Sequence, residues 1–273
     1  MEEENMKTVL LVAPFVYNDS TEEFLANGFR ELGWEVICQK TRFMRASPDS
    51  DIALTFVVKG CPIPAEQLPG KTMLYLLDNL TRKPEQLIGA DKYDHILLAH
   101  EHGAYMPRFK FFPVGYDPST HFWDGTGLPK TTDVCFIGTC HRPSREWIMQ
   151  IPNIEIYGND WDALRYPIYN VSKRKQVYQT KVNINHHIPH DTVNMRQLEV
   201  PAMHGFLLSD TAYPFKDGKE IATYKDPEDC KKQVAYWLEE DDEREKIAEA
   251  GYKAALKYSY ANRIKELLQE VGF

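Results

Sequence analysis

The 273-residue sequence contains only five cysteines, Cys38, Cys61, Cys135, Cys140 and Cys230, an odd number with no C-x-x-C pair. That excludes a disulfide framework or a zinc ribbon as the organising principle. Cys38 and Cys135 lie inside apolar strand-like runs, where a thiol serves as a small core hydrophobe. No run approaches the ~18 apolar residues that a membrane span requires. The opening stretch MEEENMKTVLLVAPF is acidic where a signal peptide is basic, so the expectation is a soluble, cytoplasmic protein with no membrane span. Basic side chains are outnumbered by acidic ones, 32 to 40, for a net charge of −8, and the chain as a whole has no electrostatic draw toward phosphate backbones or anionic lipid. With 43% hydrophobic residues and no excess of Gly or Pro, disorder and collagen-like repetition are excluded as well.

What the sequence does hold is an alternation of strand and helix patterns. KTVLLVAPF (7–15) reads as an apolar strand, STEEFLANGFRELG (20–33) as an amphipathic helix with a Ser/Thr start and a Gly stop, and WEVICQK (34–40) as a second strand. Strands follow near 51–58, 71–78, 94–100 and 109–115, with KPEQLIGA as a short helical stretch between two of them. Nearly continuous apolar strands point to a parallel sheet covered on both faces.

The segment GYDPSTHFWDGTGLPKTTD (115–133) interrupts this rhythm with Pro, Gly, Asp and Thr and reads as a linker. A second series follows: DVCFIGT (133–139), a helix around SREWIMQI, IEIYGND (154–160), a helix around SKRKQVYQTK, VNINHH (182–187), a helix beginning near Asn194, then FLLSD and EIATYK as strands. Ile264, Leu267, Leu268 and Val271 give the last segment one apolar helical face. The fold class expected is α/β, with two tandem Rossmann-like domains and a cleft between them: 1–125, 126–258, and a terminal helix over 259–273 that packs back on the first domain. Open α/β sheets bind ligands beyond the carboxyl ends of their strands.

The chemically richest stretch is VNINHHIPHDTVNMRQLEVPAMHGFLLSD (182–210). Thr192 or Asn194 can cap its helix, whose exposed amides favour an anion such as a phosphate. Arg196 in the first turn is disfavoured by the helix dipole unless an anion compensates it. Glu199 lies on the same face three residues later. Read plainly, the two form an Arg–Glu pair on an amphipathic helix; the sharper reading has Glu199 accepting ribose hydroxyls while amides and Arg side chains hold a diphosphate.

Here Asn194, Arg196, Glu199, Ala202, Gly205 and Asp210 form an N-x-R-x-x-E-x-x-A-x-x-G segment followed by a short apolar strand ending in Asp. This resembles the spore-maturation-type glycosyltransferases, relatives of the retaining family 4 group with the GT-B fold. Leu198 stands where the family has an aromatic, and Met203-His204 where it has Ala-Cys or similar. DVCFIGTCHRPSREWIM, IEIYGNDW and KVNINHH resemble further family segments in the same order, and MLYLLDN, KYDHILLAH and FKFFPVGYDPSTHF extend a weaker likeness into the first half, over roughly residues 70 to 265.

The resemblance implies that the second half binds a nucleoside-diphosphate sugar, most readily a UDP-sugar, as substrate, and that the first domain presents an acceptor hydroxyl. It places Glu199 on the ribose, Arg142 or Arg145 on the diphosphate after the turn at Gly138-Thr139, and Tyr157, Gly158, Asn159 and Trp161 around the base, with Asn185, Asn194 and Arg196 completing the donor set. Arg supplies planar, permanently charged donors for phosphate oxygens and for the charge growing on a leaving diphosphate. Transfer with retention and without metal or other cofactor is implied. His102 and Asp78, beyond strand ends, are the candidate catalytic groups, with His100 and Glu101 beside His102. Two Asp-x-Asp triplets, Asp49/Asp51 and Asp160/Asp162, and the cluster His186, His187, His190 and Asp191 carry metal-ligand types, the cluster also reading as a polar loop. The acceptor stays open among a modified base in DNA, for which Arg142/Arg145 and Lys173-Arg174-Lys175 offer local charge, and a protein, a glycan or a small molecule. A catalytically silent nucleotide-sugar-binding module is the alternative function, and an epimerase or phosphorylase of the same fold a third.

Overall fold

The computed structural model describes residues 6–16, 19–43, 51–101, 109–125 and 127–273. The chain forms two compact units. The first comprises residues up to Asp117 together with His190–Thr192 and Ser259–Phe273; the second comprises Pro118–Pro189 and Val193–Tyr258.

The first unit contains β1 (Thr8–Ala13), α1 (Thr21–Glu31), β2 (Glu35–Lys40), β3 (Leu54–Val58), β4 (Lys71–Leu76), β5 (His95–Leu98) and β6 (Phe109–Phe111). They build a parallel sheet in the order β2-β1-β3-β4-β5-β6. The central strands are buried because their Val, Leu and Phe side chains are covered on both faces. Strand β2 is an edge, and Cys38 on it is exposed: an edge strand leaves half its pattern to solvent, so the apolar run around Cys38 does not make it a core thiol. Cys135 is buried, and burial pushes its thiol well above the ordinary range.

One face of this sheet carries aromatic rings. Phe56 packs edge-on against Phe29 of α1 at 5.7 Å and against Tyr75 at 6.1 Å, and Tyr75 against Phe112 at 5.1 Å. On the other face, Leu10, Val12, Val57, Leu74, Leu76, Ile96 and Leu98 pack with Ala65, Leu68, Ala90 and Tyr93. This cover comes from 3-10 turns at Ala65–Gln67, Pro84–Leu87 and Ala90–Lys92. KPEQLIGA thus yields only a turn, because Pro84 opens it and left-handed Gly89 (φ 73°) closes it. The last helix, Tyr260–Val271, is capped by Ser259, whose Oγ accepts from the Asn262 amide, and buries Tyr260, Ala261, Ile264, Leu267 and Leu268. It packs on α1 at Gly28, where an added Cβ would stand 2.9 Å from Ile264 Cδ1 and 3.1 Å from the Ala261 nitrogen.

The second unit contains β7 (Thr132–Ile137), β8 (Ile154–Tyr157), α2 (Asn170–Gln179), β9 (Thr180–Asn185), α3 (Met195–Ala202), β10 (Leu207–Ser209), β11 (Ala222–Thr223), α4 (Pro227–Glu239) and α5 (Asp241–Ala255). Its parallel sheet runs β11-β10-β9-β7-β8, with Phe136, Ile156, Ile184 and Leu208 packing among Val234, Trp237 and Ile247. SREWIMQI forms a five-residue 3-10 turn, Glu146–Gln150, and EIATYK pairs over only two residues.

The two sheets share one topology. In each, the second strand flanks the first on one side and all later strands extend from the other. The order reverses between β1 and β3 in the first unit and between β7 and β9 in the second. Such switch points open the crevice in which doubly wound sheets bind ligands.

Candidate functional site

At the switch point of the second unit, β7 runs out at Ile137 into Gly138-Thr139, and β9 runs out at Asn185 into His186-His187. The Gly138 amide donates to the Tyr157 carbonyl at 2.7 Å, and the Gly138 carbonyl accepts from Trp161 Nε1 at 2.7 Å. The Cys140 amide donates to the Asn159 carbonyl at 3.0 Å. Gly158, at φ 155°, lies so close that an added Cβ would overlap the Gly138 carbonyl. Gly138, Tyr157, Gly158, Asn159 and Trp161 are therefore one interlocked pair of loops, with the Trp161 ring buried under it. Tyr157 bonds Glu155 at 2.9 Å, and burial together with that carboxylate pushes its hydroxyl well above the ordinary range.

Arg145 is buried and donates to the Thr139 carbonyl at 3.0 Å and twice to the His186 carbonyl, once at 2.9 Å from Nε. It braces the two switch-point loops against each other. Arg142 is more than half exposed, donates to the Trp161 carbonyl at 3.0 Å and lies 3.6 Å from Glu146. Arg196, in the first turn of α3, reaches Gly138 closely enough that a Cβ there would meet its Nη1 at 3.1 Å. The guanidinium carbons of Arg145 and Arg196 lie 5.5 and 5.8 Å from the centre of the Phe136 ring. Two permanent cations thus converge beside the Gly138-Thr139 backbone.

Asn194 is the helix cap, accepting from the Gln197 amide at 3.1 Å. Its own amide group donates to Asn185 Oδ1 at 2.9 Å, and Asn185 Nδ2 donates to Gln197 Oε1 at 2.9 Å. A buried amide network thereby fixes the α3 N-terminus against the end of β9. His187 Nδ1 lies 2.6 Å from Asp210 Oδ1, while its Nε2 accepts from the Asn194 amide at 3.3 Å, so the ring proton sits on Nδ1 and faces the carboxylate. Burial would raise Asp210, but His187 outweighs it and holds the carboxyl below its ordinary range. Burial lowers His186, aided by Arg145 and opposed by Asp210, and its Nδ1 is 2.9 Å from the Tyr224 hydroxyl.

Glu199 is 3% exposed. Its Oε1 lies 3.4 Å from Lys173 Nζ and 3.2 Å from His121 Nε2. Burial alone would raise the carboxyl, but Lys173, His121 and Arg196 together hold it down at about 2. Lys173 is accordingly no part of a solvated basic patch: the triplet Lys173-Arg174-Lys175 is split by the helix, with its first member buried. In the sequence Lys173 reads as part of a basic cluster and His121 carries no assigned role, because they lie 26 and 78 residues from Glu199 and nothing local pairs them with it. Tyr224 likewise carries no motif of its own, while Gln197, within one turn of the capping Asn194, carried a usable signal.

Of the candidate catalytic groups, Asp78 belongs to the first unit. Asp78, past the end of β4, accepts from Gln86 Nε2 at 2.8 Å and lies 3.8 Å from Lys59 Nζ. His102 lies outside the described residues, as does Asp49 of the first Asp-x-Asp triplet. His100 Nδ1 accepts from the Thr192 amide at 3.1 Å, and its Nε2 is 3.6 Å from Asp191, which Arg82 also contacts at 2.7 Å. Asp162 of the second triplet is bound by Arg165 and accepts from the Leu164 amide at 3.0 Å. His186 and His187 belong to the second unit whereas His190 and Asp191 belong to the first. Among the described residues, no three His, Cys, Asp or Glu side chains gather as metal ligands, and no helix is long and apolar enough to cross a membrane.

Residues 141–269 match the family model described as Glycosyl transferase-like. Among solved structures, the chain is similar to a glycosyltransferase from Rickettsia africae, with TM-score 0.63 and 11% identity over 98% of both chains. It is also similar to Alr3699/HepE from Anabaena, solved with UDP and glucose, with TM-score 0.66 and 9% identity over 97% of this chain and 100% of that one. A third is AviGT4, a glycosyltransferase involved in avilamycin A biosynthesis, with TM-score 0.64 and 11% identity over 97% of this chain and 96% of that one. No curated protein matches the chain. The fold is that of the GT-B glycosyltransferases. The matching stretch, residues 141–269, spans most of the second unit and runs into the last helix.

Proposed function

We propose that the protein transfers a sugar from a nucleoside-diphosphate sugar to an acceptor hydroxyl, with a UDP-sugar as donor, with retention at the anomeric carbon and without a metal ion. The observation that carries this reading is the convergence of Arg196, the capped N-terminus of α3 and the Gly138-Thr139 backbone at the switch point of the second sheet. A helix start that tolerates a cation in its first turn is suited to an anion, and the UDP-glucose in a structure of the Anabaena relative supports a uridine diphosphate as that anion.

In this reading Arg196 binds the diphosphate and balances the charge that grows on it as the glycosidic bond breaks. Arg142 supplies a second cation. Arg145, whose donors are committed to Thr139 and His186, acts as a positioning residue. Glu199, ionised and acceptor-only, takes the ribose hydroxyls through Oε2, since Lys173 and His121 hold Oε1. The loops of Tyr157, Gly158, Asn159 and Trp161 border the base, and the Asn185–Asn194 network keeps the α3 amides aimed at the phosphate. With the leaving diphosphate as proton acceptor, retention needs no strong protein base; Asp78 and His102 are then secondary candidates.

Calorimetric titration tests the donor site. UDP and UDP-glucose should bind, and Arg196→Met should weaken both by about 10- to 100-fold, the loss of a charge-assisted hydrogen bond worth roughly 1.5–3 kcal/mol. Absence of binding by every nucleoside diphosphate and its sugars would remove the donor site. Turnover is read as UDP release that persists in EDTA, and retention as the anomeric configuration of the product by NMR.

A further inference from the structure

The first unit has a cavity at its own switch point. It has a volume of about 680 Å³ and is lined by Pro14, Phe15 and Val16 from the loop after β1, Lys40 and Arg42 at the end of β2, and Pro62 beyond β3. This volume is within the range of small-molecule sites, and the position is the one where doubly wound sheets bind ligands. Its chemistry is mixed. Phe15, Val16 and the two prolines give it an apolar lining, Lys40 and Arg42 add two cations, and no carboxylate lines it among the described residues.

Three further observations bear on the ligand. Phe15 holds φ at 45°, a left-handed conformation costly for a side chain of its size and typical of functional sites. Val16 is 65% exposed, an apolar side chain with its surface left to solvent. The next strand end carries a third cation, Lys59, whose Nζ lies 3.8 Å from Asp78.

We propose that this cavity binds a small anionic ligand, a phosphate ester or carboxylate joined to an apolar body, with Lys40 on the anion and the Phe15 and Val16 lining on the body. Resting on the transfer reading above, it names the acceptor class: a hydroxyl compound that carries a negative charge. A neutral sugar or alcohol lacks the group that Lys40 recognises.

The test is an NMR titration of the full chain without donor, using 4-hydroxyphenylacetate and phenyl phosphate as anionic probes and 4-hydroxyphenylacetamide as the neutral counterpart. Both anions should bind with shifts at residues 14–16 and 40–42, the amide at least 10-fold more weakly, and Lys40→Gln should cut anion affinity at least 5-fold with an unchanged thermal midpoint. Equal binding of the amide, anion binding indifferent to Lys40→Gln, shifts confined to other residues, or no binding would each overturn the proposal. UDP-glucose titrated in a parallel arm, read at Gly138 and Thr139, separates the two readings. Anion binding without UDP-glucose binding removes UDP-glucose as donor and keeps the anion site; UDP-glucose binding without anion binding removes only the anion site.

Discussion

Glu199 keeps its charge where burial alone would remove it, and the cost is met by Lys173 and His121. A carboxyl held at about 2 against an ordinary 4.5 corresponds to about 3 kcal/mol of folding free energy. Since the folded value is depressed, that contribution is complete above roughly pH 5 and is lost as pH falls toward the folded value. Wild type and Glu199→Gln should therefore differ by about 3 kcal/mol in urea unfolding at pH 7, and the gap should close between about pH 5 and pH 2. A gap independent of pH would show that the ion pair is not its source. Gly158 presents the steric counterpart. Ala there combines φ 155° with an overlap on the Gly138 carbonyl, so Gly158→Ala should lower stability by about 2–4 kcal/mol and weaken UDP binding in the same protein. Gly218, at φ 67° with nothing within 4 Å of an added Cβ, is the control: its alanine variant meets only the left-handed penalty of roughly 1–2 kcal/mol and should leave UDP affinity unchanged, as calorimetry would read.

Between elements, the packing of α1 on the last helix turns on Gly28. The Ile264 methyl can move aside from a new Cβ, but the Ala261 backbone nitrogen at 3.1 Å cannot, so Gly28→Ala should destabilise by about 1–3 kcal/mol. Adding Ile264→Val removes the mobile clash and leaves the backbone one. The double variant should recover part of the loss, with a coupling of about 0.5–3 kcal/mol in denaturant unfolding; strict additivity would mean that Ile264 is not the partner. This contact illustrates what the sequence discloses. STEEFLANGFRELG and NRIKELLQEVG read correctly as amphipathic helices because 3.6-residue periodicity is local, and the apolar runs of β1 and β7 read as strands for the same reason. That Gly28 serves a helix contact more than 200 residues away is not local, nor is the pairing of Glu199 with Lys173. KPEQLIGA and SREWIMQI had helical composition but too few residues between their breakers to close more than a 3-10 turn, and the exposure of Cys38 followed from its strand's place at the sheet edge. The candidate donor site was more legible than the partners that support it, because strand-end glycines and a capped helix leave short sequence marks.

At the scale of the whole molecule, the path of the chain separates sequence order from structural membership. The last 15 residues, Ser259–Phe273, belong to the first unit, and the stretch that matches the glycosyl transferase-like model, ending at 269, extends into them. Tyr260, Ile264, Leu267 and Leu268 are buried there. At about 1.5–3 kcal/mol per fully buried apolar side chain, their removal costs an amount comparable to the ~5–15 kcal/mol that holds a domain folded. Deleting residues 259–273 should therefore unfold the unit at the opposite end of the sequence. In hydrogen exchange, β1, β3 and β4 should lose protection while β7 and β9 keep theirs, and calorimetry of the deleted protein should retain only the second unit's transition. UDP-glucose at about 100 times its dissociation constant should stabilise that transition by about 2.7 kcal/mol, because the proposed donor residues all belong to the unit that persists. Protection lost equally from both sheets would mean that the two units are one cooperative body, and the donor would then stabilise the intact chain as a whole without a separate effect on either transition.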